Sequence, residues 1–282
     1  MSSKNCIKLE VCVDSIASAV AAAEGGAARI ELCSALSEGG LTPSVGTLKI
    51  LKEKCLNIPI FCMLRPRRGN DFIYSTLEIQ ALLADMDILR EQGADGFVFG
   101  ALTNGQTVNT EQCQYVLQQA AGLPVTFHRA FDLTNPICMD ETVSQIRHLG
   151  FKRILSSGFC QSAEEGTNNL AKLIAKHHRD IIIMPGAGIS VSNLDEILTA
   201  TKCAEFHASA KKEAGENINI TKMDCEISMG KQDIEPYSIT DVNVVRKMVA
   251  IGNALSDKLA VFQTPQTPMG ERAVNASVTL ST

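Results

Sequence analysis

Short apolar runs with the period of a strand alternate with longer stretches of helical period along most of this chain. The strand-like runs are Lys8–Val13, Arg29–Leu32, Ile58–Leu64, Gly96–Gly100, Pro124–His128, Arg153–Leu155, Ile181–Met184 and Glu205–Ala208. Between them apolar residues recur every three to four positions, the spacing that gives a helix one buried face. The clearest stripe is Ile79, Leu82, Leu83, Met86 and Leu89, introduced by Ser75-Thr76-Leu77-Glu78. There the serine hydroxyl and the glutamate carboxylate can satisfy N–H donors that a first helical turn leaves free. Gly26, Gly93 and Gly150 each end a helical stretch shortly before a strand, as left-handed C-terminal caps do.

Eight strand–helix units with no Pro-, Ser- or charge-rich linker predict one α/β domain, a closed (β/α)8 barrel over residues 8–262. An open doubly wound sheet would normally carry a G-x-G-x-x-G turn after its first strand, and here that turn reads Cys12-Val13-Asp14-Ser15. Residues 211–239 read as an irregular insertion after strand eight, followed by a last helix from Asp241 to about Phe262. Residues 263–282, rich in Thr, Pro and Ser, are expected to form a flexible C-terminal tail.

The 282 residues carry 26 basic and 31 acidic side chains, a net charge of −5, and are 45% apolar. This mild acidity offers no footprint for nucleic acid or for an anionic membrane surface. No apolar run approaches the roughly 18 residues that a spanning helix needs, and the first residues lack the apolar stretch of a secretory signal. A soluble intracellular protein is expected, without nucleic-acid or membrane partners. The 10 cysteines include no C-x-x-C pair, so free, mostly buried thiols in a reducing compartment are expected.

Barrels of this class place their reactive groups at the C-terminal ends of the strands. Alternation along each strand turns Leu9, Val11, Val13, Ile30 and Leu32 toward the helices. It turns Glu10, Cys12, Asp14, Arg29, Glu31 and Cys33 inward, joined by Met63, Arg65, Thr126, His128, Glu205, His207 and Ser209 from later strands. So polar an interior is unusual, because aliphatic side chains commonly fill these layers. Buried carboxylates need partners. A purely structural account would pair Glu10, Glu31 and Glu205 with Arg29, Arg65 and Arg129. The catalytic account makes Glu10, Glu31, Arg65, His128, Glu205 and His207 candidates for acid–base work on a small anion.

Cys12 and Cys33 each follow an inward glutamate by two residues on neighbouring strands, which lie about 4.8 Å apart. Two thiolates converging on one soft ion favour Cu(I), and Met63 could add a third sulfur; packed core cysteines are the structural alternative. Two strand-end loops suit an anion. Gly186 and Gly188 follow strand seven and Ser209 follows strand eight, where phosphate-binding barrels place their site, with Arg67 supplying a guanidinium fork. A tight βα turn accounts for the same glycines.

The stretches Leu9–Ser15, Arg29–Ser34, Ser37–Ser44, Arg65–Arg67, Val125–Asp132, Ile154–Gly158 and Glu205–Ala210 together resemble the copper homeostasis protein CutC family, over roughly residues 8 to 262. That resemblance implies a TIM barrel, a homo-oligomer (dimer or tetramer), a cytoplasmic location that extends to the nucleus, and a role in copper handling. It implies that Cys12 and Cys33 are Cu(I) ligands. The family commonly reads Arg-Pro-Arg-Gly-Gly-Asp-Phe where this chain, from Arg65 to Phe72, is one residue longer. The expected function is Cu(I) binding or buffering, with no organic cofactor. The alternatives are a lyase- or isomerase-type enzyme acting on a small anionic metabolite, and an interaction scaffold.

Overall fold

A computed structural model describes residues 6–54, 57–212 and 238–263, with side chains described as far as residue 257. Eight strands alternate with helices: β1 (Lys8–Val13), β2 (Arg29–Leu32), β3 (Ile60–Met63), β4 (Gly96–Phe99), β5 (Val125–Phe127), β6 (Arg153–Ser156), β7 (Ile182–Pro185) and β8 (Glu205–Ala208). The intervening helices are α1 (Ile16–Gly25), α2 (Val45–Lys54), α3 (Thr76–Glu91), α4 (Thr110–Gln119), α5 (Met139–Leu149), α6 (Thr167–His177) and α7 (Leu194–Thr201). Helix α8 (Val242–Gln263) follows β8. All strand pairs are parallel in the order β7-β6-β5-β4-β3-β2-β1-β8, and β7 lies beside β8 across the remaining seam. This nearly closed ring is the expected TIM barrel. The insertion and the tail fall almost wholly outside the described residues.

Local chemistry explains several boundaries. The Ser75 hydroxyl accepts from the Glu78 amide at 3.3 Å while the Glu78 carboxylate accepts from the Ser75 amide at 2.7 Å, so the capping box starts α3 as expected. The three exit glycines all take positive φ. Alternation then sorts the core into two shells. Leu9, Val11, Val13, Ile30, Leu32, Ile60 and Phe97 pack outward against the helices in one large apolar layer. Inside the ring a small cluster of Cys33, Phe61, Met63 and Val98 is the apolar filling, with Leu36 against it. Met184, whose sulfur lies 3.6 Å from Arg29 Nη2, adds one more apolar side chain among otherwise charged and polar luminal groups such as Glu10, Arg29, Glu31, Glu205 and His207.

The seam is crowded at Gly186. A Cβ on Gly186 would lie 2.5 Å from Leu155 Cδ1 and 3.2 Å from the Cβ of His207. A methyl group there fits between the end of β7 and the inward histidine of β8 only if Leu155 turns aside and His207 shifts by a few tenths of an ångström.

Candidate metal centre in the barrel lumen

Arg29 anchors the lower part of the lumen. Its Nε donates to Glu10 and its Nη2 donates to Glu205 at 2.6 Å, while Arg153 Nε donates to the same Glu205 oxygen at 2.7 Å. The Phe61 ring lies beneath both guanidiniums, 5.0 Å from Arg29 Cζ and 5.5 Å from Arg153 Cζ. Burial raises the pKa of Glu10 although Arg29 opposes that shift. In Glu205 the pull of burial is outweighed by Arg153 and Arg29, which hold the carboxyl below its ordinary range.

The next level toward the mouth joins three strands. The register sets Glu10 beside His207 of β8 on one side and Arg29 of β2 on the other, and sets Cys12 beside Glu31. His207 Nε2 donates to Glu31 Oε2 at 2.9 Å and lies 3.8 Å from Glu10 Oε1. Burial lowers the His207 pKa, but the Glu31 charge overrides it and raises the imidazole well above its ordinary value. Burial likewise works against ionised Glu31, and His207 reverses the outcome, so Glu31 titrates lower than usual. One donor atom each from Cys12, Glu31 and His207 lie within 4.8 Å of one another.

Cys33 stands one inward position nearer the mouth than Glu31. Equal spacing in the sequence does not become equal height, because the strands of a tilted barrel are staggered. The Cys33 thiol points at Glu31 Oε2 from 3.9 Å, and burial pushes its pKa well up. Met63 sits in the same inner cluster. Both cysteines therefore border one carboxylate.

At the mouth the other candidates are engaged locally. Arg65 donates to the carbonyls of Glu38 (2.9 Å), Gly40 (3.1 Å) and Gly69 (2.7 Å), binding two loops together. Arg67 grips Asp71 through both terminal nitrogens at 3.0 Å and Glu78 through Nε at 2.7 Å. The longer loop holds Phe72 at φ +49°, its ring 4.7 Å from His128 and 5.2 Å from Arg65 Cζ. His128 Nδ1 accepts from the Ala130 amide at 3.2 Å. Gly188 is left-handed and the Ser209 carbonyl accepts from Thr240, so both hold loops in shape.

The pairing of the carboxylates by Arg29, Arg65 and Arg129 therefore holds for Arg29 alone. Arg129 turns to Asp132 at 3.0 Å, and Arg153 with His207 takes the remaining roles. The signal for Arg153 is the outward parity of Ile154, which turns its neighbours inward. On the inward side chains Glu10 Oε1, Glu31 Oε1, Thr126 Oγ1 and His128 Nε2 are buried with no hydrogen-bond partner among the described residues. The cysteines of the described residues are all free. No helix of the described residues is long and apolar enough to cross a membrane.

Known proteins match this chain in sequence and in fold. The profile of the CutC family matches residues 7–212. The chain is 63% identical over 255 residues to the copper homeostasis protein cutC homolog of Drosophila melanogaster, covering 89% of this chain and 97% of that protein. It is 44% identical over 247 residues to the human homolog of the same name, covering 86% and 88%. The crystal structure of CutC from Streptococcus agalactiae superposes with a TM-score of 0.69 at 30% identity, covering 72% of this chain and 98% of that one. Thiamine phosphate pyrophosphorylase of Pyrococcus furiosus, at 16% identity and a TM-score of 0.54 over 89% of this chain and 98% of that one, shares the barrel alone. Because the matched segment runs from the first strand through the eighth, and so includes every residue of the luminal cluster, this chain belongs to the CutC family.

Proposed function

We propose that this chain takes up Cu(I) in the upper lumen, with Cys12 and Cys33 as thiolate ligands and Met63 as a neighbouring thioether. The observation that carries the reading is that both cysteines face the same Glu31 carboxylate from neighbouring strands, beside a methionine. Soft sulfur donors prefer Cu(I) to harder ions. The names of the homologs support a role in copper homeostasis. A cytoplasmic protein working as a dimer or tetramer, and reaching the nucleus, is part of this reading. Large apolar side chains exposed on the outside, Leu77 and Ile137 above all, suit such self-association. Titration with Cu(I) against a competing chelator under reducing conditions tests the proposal. One ion per chain is expected, and retention of full affinity by the Cys12→Ser, Cys33→Ser double variant defeats it.

The second reading, an enzyme acting on a small anion, draws on the unpartnered Thr126 Oγ1 and His128 Nε2. Its weakness is that the Arg65 and Arg67 forks are spent on the loops. A small carboxylate or phosphate that protects the chain against heat, and ceases to do so in a His128→Phe variant, would favour it.

A further inference from the structure

We propose that Cys12, Glu31 and His207 form a second metal seat, built for a borderline divalent cation of the zinc class, that shares Cys12 with the Cu(I) seat. One sulfur, one imidazole and one carboxylate are the mixed donors that zinc accepts, whereas Cu(I) is selected by sulfur alone. Donor atoms around tetrahedral zinc stand about 3.3 to 3.8 Å apart, so a trio within 4.8 Å needs to close by no more than about 1.5 Å. The three side chains come from three adjacent parallel strands, β8, β1 and β2, which hold their backbones rigidly. Three protein ligands leave one position of a tetrahedron open, as in catalytic rather than structural zinc centres.

A second observation points to a ligand here. Glu31 Oε2 is occupied by His207 and the Cys33 thiol, but Oε1 is buried with no partner among the described residues. A buried carboxylate oxygen left bare is costly, and a cation would satisfy it. The charges agree. An imidazole that ligates a metal is neutral, so in the loaded site the three carboxylates of Glu10, Glu31 and Glu205 stand, among the described residues, against the two guanidiniums ion-paired to them, Arg29 and Arg153, with one negative charge in excess. Ionisation of Cys12 on metal binding adds a second. A divalent cation neutralises both and a monovalent ion does not.

Because the seats share Cys12, occupancy by one ion excludes the other. Anaerobic titration of the reduced, metal-free chain with Co(II) tests this. We expect one ion per chain, the visible bands of tetrahedral Co(II), a thiolate-to-cobalt band in the ultraviolet, and loss of all of them on adding Zn(II) or Cu(I). Cys12→Ser should abolish the thiolate band, and His207→Gln or Glu31→Gln should weaken Co(II) by at least about tenfold. Cys33→Ser should weaken Cu(I) and leave Co(II) unchanged. The proposal is overturned if the unaltered chain gives no thiolate-to-cobalt band. It is also overturned if folded His207→Gln and Glu31→Gln bind Co(II) normally, or if Cys33→Ser weakens both metals equally. Failure of the unaltered chain to bind Cu(I) while it binds Co(II) removes the copper reading and leaves this seat standing.

Discussion

His207 on β8 reaches past β1 to Glu31 on β2, placing its Nε2 2.9 Å from Glu31 Oε2. The contact ties the first two strands to the last at the level of the cysteines. Both groups are buried, so removing one takes the nearest counter-charge from the other in a poorly solvated place. We expect His207→Phe and Glu31→Gln each to cost about 3 kcal/mol. The double variant should recover at least about 1 kcal/mol relative to their sum. Chemical denaturation of the four chains gives the coupling, and strict additivity would contradict the pairing.

Arg29 holds two carboxylates at once, and its guanidinium is buried. Replacing it with methionine keeps much of the side-chain volume but takes from Glu10 its hydrogen-bonded cation and leaves Glu205 with Arg153 alone. We expect a loss of about 3 to 5 kcal/mol, read from the denaturation midpoint. Arg153→Met should cost less, since Glu205 keeps Arg29. Equal effects would mean that the two guanidiniums are not ranked as the geometry ranks them.

Gly186 gives the seam its room. A methyl group there meets Leu155 and the β-carbon of His207. Gly186→Ala should cost about 1 to 3 kcal/mol by overpacking. It should also shift the His207 ring, reported by its NMR resonances. An unchanged His207 spectrum would show that β7 yields instead.

His128 makes stability depend on pH. Burial, with Arg65 nearby, pushes its pKa from the ordinary 6.5 down to about 4, and Glu31 opposes this only in part. Above 6.5 neither the folded nor the unfolded chain holds the extra proton, and this residue leaves stability unchanged. As pH falls from 6.5 toward about 4 the unfolded chain takes up a proton that the native imidazole refuses, so stability drops. The loss amounts to about 3 kcal/mol at the acid end of that window. In a His128→Phe variant the fall attributable to this group should vanish when denaturation is followed across that range. A curve parallel to that of the unaltered chain would refute the assignment.

Much of this arrangement is legible in the order of the residues. Alternation along Leu9–Asp14 and Arg29–Cys33 already separates the outward aliphatic residues from Glu10, Cys12, Arg29, Glu31 and Cys33, because successive strand side chains must face opposite ways. The capping residues at Ser75 and Glu78 and the exit glycines likewise act through neighbours in the chain, so local order suffices to reveal them.

Only tertiary structure decided which inward groups meet. The stagger between β1 and β2 sets Cys12 beside Glu31 and lifts Cys33 one step toward the mouth, and no local pattern encodes that slide. The same holds for His207, which meets Glu31 across 176 residues of sequence, and for Arg65, whose fork closes on loop carbonyls. Period and parity are properties of one strand. Height around a closed ring belongs to all eight strands together, since the tilt that lets the sheet close determines how far each is shifted against the next.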